Sequence, residues 1–293
     1  MVVVFGLVAA VLYGSADFLG GAASRRARAL SVLTVSAPAG AIIILAAALA
    51  FGGPARVAGL GWALAGGAAG GAGLIVFYTG LAAGPMSVVA PVSALVSTVL
   101  PVSVALVTGE RPGLTVYLGG LACLAAIVLV SMEGGASRRP AAQPGAARLR
   151  SARPGAVRGV GYGVASGLAF GLFFLFLRYA GAAGVLWPAA VSRLSGMIIM
   201  VGAALWVGAP PAWRGTSQRV LAAAIASGLL DAGANAFYIL ATRAGMLGMA
   251  VVLTSLYPGV TVLLARVLLG ERMRAVQRAG LCLAAIGVVL VTA

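Results

Sequence analysis

Long uncharged apolar stretches alternate along the chain with short segments that carry the charged residues. Between Arg28 and Arg56 lie 27 uncharged residues, and between Arg56 and Glu110 lie 53. A helix that crosses a bilayer needs about 20 apolar residues. The first stretch is therefore long enough for one crossing. The second is long enough for two, with a turn at Gly84-Pro85, because glycine and proline commonly follow the end of a helix.

The same reasoning predicts ten membrane-spanning helices along the whole chain. They lie near residues 2–23, 30–52, 57–81, 85–107, 112–132, 157–178, 185–208, 218–242, 245–267 and 276–292. The first of them begins Met1-Val2-Val3-Val4, which carries no side-chain charge, whereas a secretory signal begins with a basic segment. We therefore expect the first stretch to be a helix of the mature protein.

Residues 133–156 differ from the rest of the chain. They combine Pro, Gly, Ala and Ser with five arginines: Arg138, Arg139, Arg148, Arg150 and Arg153. Such a composition buries little apolar surface and is typical of a flexible linker. The linker separates an N-terminal region, residues 1–132, from a C-terminal region, residues 157–293. Each region has five predicted helices.

Short motifs of the N-terminal region recur in the C-terminal region at offsets of 160, 161 and 159 residues. The matching pairs are Phe77-Tyr78 with Phe237-Tyr238, Gly109-Glu110-Arg111 with Gly270-Glu271-Arg272, and residues 123–127 with 282–286 (both Cys-Leu-Ala-Ala-Ile). Because five is an odd number, the second copy enters the membrane from the opposite side. The result is an inverted repeat, which is an architecture of secondary transporters. Chance similarity between alanine-rich helices is the alternative, and the paired Gly-Glu-Arg motifs disfavour it.

Three features point to a known family. The first helix contains Tyr13-Gly14-Ser15, helices four and nine close on Gly-Glu-Arg, and helix nine contains Pro258. With these features the chain resembles EamA-type members of the drug/metabolite transporter superfamily over essentially its full length. The N-terminal region departs from the pattern, because Ser97 stands in the place of Pro258 while Pro91 and Pro101 lie elsewhere. The resemblance implies an all-α membrane protein of ten helices in two inverted five-helix repeats. It also implies a carrier, often an exporter, but no particular substrate.

Composition favours a membrane protein and argues against an enzyme. Hydrophobic residues make up 62% of the chain and charged residues 9%, whereas soluble domains have about 25% charged residues. All 20 basic residues are Arg, so His-based catalysis and lysine chemistry are absent. We expect no catalytic residues, no cofactor and no metal. The net charge of +15 comes from arginines between apolar runs, which favours a role in topology over nucleic-acid binding.

The loop arginines are distributed unevenly between the two sides of the predicted bundle. Side A, which carries both termini, has four: Arg56, Arg111, Arg178 and Arg243. Side B, which carries the linker, has 14. The positive-inside rule places side B in the cytoplasm and the termini outside. Relatives in the superfamily are usually drawn with both termini inside, so the orientation stays open. The expected location is the inner, or plasma, membrane.

Ionisable side chains inside a membrane helix are costly and mark candidate functional sites. Three qualify: Asp17, Arg193 and Asp231. Asp17 shares a helix face with Tyr13, one turn earlier. It lies only about two turns from side B. Two interpretations follow: Asp17 lines a cavity, or it pairs with Arg25 or Arg26 near the headgroups.

Asp231 begins a polar row on helix eight. Asn235, Tyr238 and Thr242 follow at spacings of 4, 3 and 4, which places all four side chains on one helix face. In a bilayer this row must face other helices or a wet cavity. Either it lines a cavity or it is a structural polar seam.

Arg193 and Asp231 lie at similar depths, about eight and eleven residues from side A, so they are able to pair. A permanent pair would be structural, whereas a pair in which substrate or a proton competes for Asp231 would be functional. The predicted substrate contacts or coupling residues are Asp231, Asn235, Tyr238, Arg193, Asp17 and Tyr13.

Other features are interpreted as structural. The glycines of helix three between residues 66 and 73 indicate close helix packing. Glu110 is expected to pair with its neighbour Arg111. Prolines are expected to interrupt helices four and nine, and Tyr257-Pro258-Gly259 is a candidate hinge.

These observations together predict a secondary active transporter of a small metabolite or drug-like solute. We expect an exporter that works by alternating access, with protons as one coupling option. A gradient must drive it, because no ATP-binding loop is present. The alternatives are a lipid scramblase or flippase and a non-transporting membrane partner. The sequence leaves the oligomeric state open.

Overall fold

The computed structural model describes residues 1–24, 26–54, 57–83, 86–131, 154–209, 216–269 and 275–292. Within these ranges every regular element is helical. The helices are α1 (Val2–Ser24), α2 (Ala29–Phe51), α3 (Leu60–Ala83), α4 (Met86–Val107), α5 (Leu114–Ser131), α6 (Pro154–Ala180), α7 (Leu186–Trp206), α8 (Gln218–Ala244), α9 (Leu247–Thr254), α10 (Tyr257–Leu269) and α11 (Ala275–Thr292). A short 3₁₀ turn, Gly181–Ala183, follows α6.

Long apolar helices make the chain a multi-pass membrane protein. Seven helical segments of the described part are long and apolar enough to cross a bilayer, one of them running through α9 and α10. Three shorter apolar helices accompany them, at Val92–Val107, Leu114–Leu129 and Ala275–Val291. The all-α membrane class expected from the sequence is thus confirmed.

The predicted helices coincide with the observed ones to within three residues at each end. Helix nine differs because it is divided into two helices. Its first part, α9, ends at Thr254, and its second part, α10, begins at Tyr257. Pro258 has no N–H to donate to the carbonyl of Thr254, which favours a break in the helix at this point. The expected interruption of helix nine is confirmed.

The expected interruption of helix four is wrong. Helix α4 runs without a break from Met86 to Val107, through both Pro91 and Pro101. Membrane helices tolerate interior prolines where neighbouring groups satisfy the freed backbone carbonyls.

Several sequence-based predictions fall outside the described residues. They concern most of the linker 133–156, the turn at Gly84-Pro85, the side chain of Arg25 and the second Gly-Glu-Arg motif at 270–272. Helix α6 begins at Pro154, so the last three residues assigned to the linker are helical.

Helices of the two regions pack against each other in a reciprocal pattern. Helix α1 packs on α8 and α3 packs on α6, while α2 pairs with α7 and α5 pairs with α11. Two glycines permit the closest approaches. A Cβ on Gly67 of α3 would lie 2.0 Å from the carbonyl oxygen of Ser192, and one on Gly228 of α8 would lie 1.9 Å from that of Ser36. The glycines of helix three therefore serve close packing, as expected.

Candidate functional site

The sequence left open whether Arg193 and Asp231 pair, and the structure shows that they do. Arg193 on α7 donates from Nη2 to Oδ2 of Asp231 on α8, and the two side chains form an ion pair. The Arg193 side chain is 12% exposed and that of Asp231 is 32% exposed. The guanidinium is therefore enclosed, while the carboxylate is accessible from one side.

Asn235 connects this ion pair to α1. Its side chain is almost fully buried. The amide matches donors with acceptors when its oxygen accepts from Arg193 Nε at 2.8 Å and from Nη2 at 3.2 Å, and its NH₂ group then donates to the Tyr13 hydroxyl. Tyr13, Asn235, Arg193 and Asp231 thus form one chain of polar contacts, here called the polar network. It joins α1 of the N-terminal region to α7 and α8 of the C-terminal region.

The far end of the polar row on α8 is used inside the protein. Tyr238 is fully buried, and its hydroxyl donates to the carbonyl of Phe174 at 2.9 Å. The Thr242 hydroxyl donates to the carbonyl of Ile239 at 3.0 Å. The Tyr238 hydroxyl links α8 to α6 and the Thr242 hydroxyl bonds within α8, whereas the Asp231 end of the row is open.

Asp17 is exposed although it lies where α1 meets α8. The carbonyl of the preceding Ala16 accepts from the Ser227 hydroxyl of α8 at 2.8 Å. Because Ser227 lies one turn before Asp231, this contact places Asp17 and Asp231 in the same part of the interface between α1 and α8. Among the described residues Arg26 forms no ion pair with Asp17. The expected alternative in which Asp17 pairs with Arg26 near the headgroups is therefore not observed.

The start of α10 completes this part of the protein. The ring centroids of Tyr257 and Tyr13 are 6.3 Å apart, and the Thr261 hydroxyl donates to the carbonyl of Gly14 at 3.0 Å. A Cβ on Gly14 would lie 2.5 Å from the Tyr257 carbonyl oxygen, so only glycine allows this approach. Sequence reasoning noted the Tyr257-Pro258-Gly259 segment but did not link it to Tyr13.

Glu110 makes a contact that the sequence analysis missed. Its carboxylate accepts from the backbone N–H of Leu247 at 2.6 Å and of Gly248 at 3.0 Å. These are the first N–H groups of α9, which have no partner within their own helix. The expectation of a local pair with Arg111 is therefore corrected, because the carboxylate caps a helix of the other region. The motif itself gave no sign of a partner 137 residues away.

A second contact at side A involves Arg178, in the last turn of α6. It donates from Nη1 to the carbonyl of Thr242 near the end of α8, at 2.6 Å. A cation is favourable at this position because helix C-termini carry partial negative charge.

Metal ligands do not gather within the described part of the chain. No group of three or more His, Cys, Asp or Glu side chains occurs there. What the polar network offers instead is a carboxylate, a guanidinium, an amide and a phenol, which can bind a polar solute by hydrogen bonds and charge.

Comparison with known proteins agrees with this architecture. The crystal structure of another protein superposes on this chain with a TM-score of 0.76. The two sequences are 18% identical, and the match covers 99% of this chain and 96% of the other. This likeness shows a shared fold. No curated protein matches the chain. Residues 157–293 match the EamA-like transporter family. This match over the C-terminal region supports the resemblance to the EamA-like transporter family drawn from the sequence.

Proposed function

We propose that the protein is a secondary active transporter, and not an enzyme, that exports a small metabolite or drug-like solute across the plasma membrane. The observation that carries this proposal is the polar network, which joins the two regions and leaves the Asp231 carboxylate accessible. A partly exposed ion pair deep in apolar helices is costly and is characteristic of transport pathways.

The proposed architecture has ten spans in two inverted five-helix repeats, residues 1–132 and 157–293. Reciprocal packing supports it, since the first helix of each repeat packs on the third helix of the other. The glycine contacts are reciprocal as well, because Gly67 and Gly228 each meet a serine carbonyl on the second helix of the other repeat. Transporters of this kind bind their solute between the repeats and rock one against the other.

Competition for Asp231 is the proposed coupling step. While Arg193 holds the carboxylate, both charges are neutralised and Asn235 fixes the guanidinium through Nε. A bound cationic group, or a proton on Asp231, would release Arg193 from this contact. Removing one partner of a fully buried ion pair costs about 3–5 kcal/mol, which is an upper limit for this partly exposed pair. The polar network includes Tyr13 of the other repeat, so its rearrangement alters the contact between the repeats.

The direction of export rests on where the site is open. Asp17 is exposed about two turns from the side B end of α1, whereas Glu110 and Arg178 connect helix ends at side A. The arginine distribution favours a cytoplasmic side B. In this arrangement a cytoplasmic solute reaches Asp17 and then Asp231.

Purified protein in liposomes that contain a pH-sensitive dye tests the proposal. Amino acids, nucleobases and cationic drugs are added in turn, and proton flux is recorded together with uptake of labelled solute. The variants are Asp231→Asn, Arg193→Gln and Asp17→Asn. Ser195→Ala is the matched control, because Ser195 lies on the same helix as Arg193 but outside the polar network. Its hydroxyl donates to the Leu64 carbonyl of α3.

We expect solute-dependent flux in the wild type and in Ser195→Ala, and its loss in Asp231→Asn. Full transport by folded Asp231→Asn and Arg193→Gln would refute the role of the polar network. Movement of labelled lipid without any solute flux would support the scramblase alternative instead.

A further inference from the structure

Two arginines at side A line a cavity that the proposed transport function does not use. Its volume is about 370 Å³, and it lies where α6 and α8 both end. Its lining residues are Arg178, Tyr179, Gly181, Ala182 and Arg243. None of these described lining residues is acidic.

We propose that this cavity binds a phosphate group, as found on an anionic lipid headgroup or on a soluble phosphate. The proposal rests on charge, on geometry and on the level of the site in the membrane.

The charge of the two arginines exceeds what the helix ends need. Arg178 lies in the last turn of α6 and Arg243 in the last turn of α8. Each helix C-terminus carries roughly half a negative charge, so two termini offset about one of the two positive charges. A net charge of about +1 is left facing the cavity. Glu110, the acid described at side A, is engaged at the start of α9.

The geometry leaves donors available for an anion. Arg178 donates from Nη1 to the carbonyl of Thr242, and this bond fixes the position of the guanidinium. The guanidinium has further N–H groups that can donate to an anion. Arg243 is exposed. Its stem runs past Gly181, where a Cβ would lie 3.7 Å from its Cγ. A guanidinium group binds phosphate oxygens in a bidentate manner, and two guanidinium groups can bind one phosphate together.

Aromatic side chains place the cavity at the level of the headgroups. Tyr179, which lines the cavity, packs against Trp62 with ring centroids 5.4 Å apart. The two side chains are 43% and 48% exposed. Exposed Trp and Tyr near helix ends are typical of the membrane–water interface. Basic pockets between membrane helices on the cytoplasmic side bind anionic headgroups, and this pocket on side A has the same kind of charge at the same level.

Arg243→Gln is the test variant, because Arg243 is exposed while Arg178 also holds the end of α8. Arg219→Gln is the matched control, since Arg219 is an exposed arginine at the opposite end of the same helix. Binding is measured on the full-length protein by native mass spectrometry and by thermal unfolding. The probes are phosphatidylglycerol, phosphatidylcholine and inorganic phosphate, at one ionic strength.

We expect phosphatidylglycerol to bind the wild type and Arg219→Gln in preference to phosphatidylcholine, and to bind Arg243→Gln roughly tenfold more weakly. Stabilisation by inorganic phosphate that Arg243→Gln abolishes would support the same site with a soluble source. Equal binding of both lipids and no effect of phosphate, or unchanged binding by Arg243→Gln, would overturn the proposal. If Arg243→Gln does not fold, Arg243→Lys is used instead, because lysine keeps the positive charge but cannot donate in a bidentate manner. Undiminished binding by Arg243→Lys would count against bidentate recognition.

Discussion

Replacing Glu110 with Gln should loosen the start of α9. The carboxylate accepts two backbone N–H groups, at 2.6 and 3.0 Å. Hydrogen bonds to charged groups contribute about 1.5–3 kcal/mol each, and a negative charge at a helix N-terminus adds about 0.3–1 kcal/mol. Glutamine keeps one acceptor oxygen but loses the charge. The expected loss is therefore about 2 kcal/mol, which corresponds to roughly 30-fold in the opening equilibrium.

The size of α9 makes this contact matter. The helix has eight residues, and isolated helices shorter than about 12 residues are marginal. Its first turn depends on Glu110 and on packing. Because Glu110 belongs to the N-terminal region, its bond to α9 ties the two regions together at side A.

Hydrogen exchange read by mass spectrometry measures this opening directly. A peptide that covers residues 246–254 should exchange roughly 30-fold faster in Glu110→Gln than in the wild type. Arg111→Gln is the control, since it removes the adjacent charge but not the contact with α9. Unchanged exchange in Glu110→Gln, or equal acceleration in both variants, would refute the capping role.

Three further predictions concern stability and are read from thermal or denaturant unfolding in detergent. Asp231→Asn should cost up to about 3–5 kcal/mol because it leaves Arg193 buried without a counter-charge, and adding Arg193→Gln should recover part of the loss; an additive double variant would contradict a direct pair. Tyr13→Phe should cost about 1 kcal/mol by removing the hydroxyl that meets Asn235, and no measurable change would argue against that bond. Gly67→Ala should lower the unfolding midpoint because its Cβ would overlap the Ser192 carbonyl, whereas Gly202→Ala, where no atom lies within 4 Å, should not; equal midpoints would refute the close approach.

The lengths of the apolar runs, and the cost of placing charged side chains within them, could be judged from the sequence alone. The helix positions followed because an apolar run long enough to cross a bilayer is a property of the chain itself, independent of what packs against it. The sequence also showed that Arg193 and Asp231 lie at similar depth and are able to pair, but not that they do so. A break in helix nine was expected from the missing N–H of Pro258, although the same reasoning failed for the prolines of α4.

Partners distant in sequence were decided by the tertiary structure. That Asn235 joins the ion pair to Tyr13, and that Glu110 caps α9 instead of pairing with its neighbour, depends on how each helix is rotated and which helix it meets. Helix α4 likewise continues through its prolines because of its surroundings. Run lengths carry no information on rotation or neighbours, because many packings bury the same apolar faces. Only the close approaches permitted at residues such as Gly67 and Gly228 select one of them.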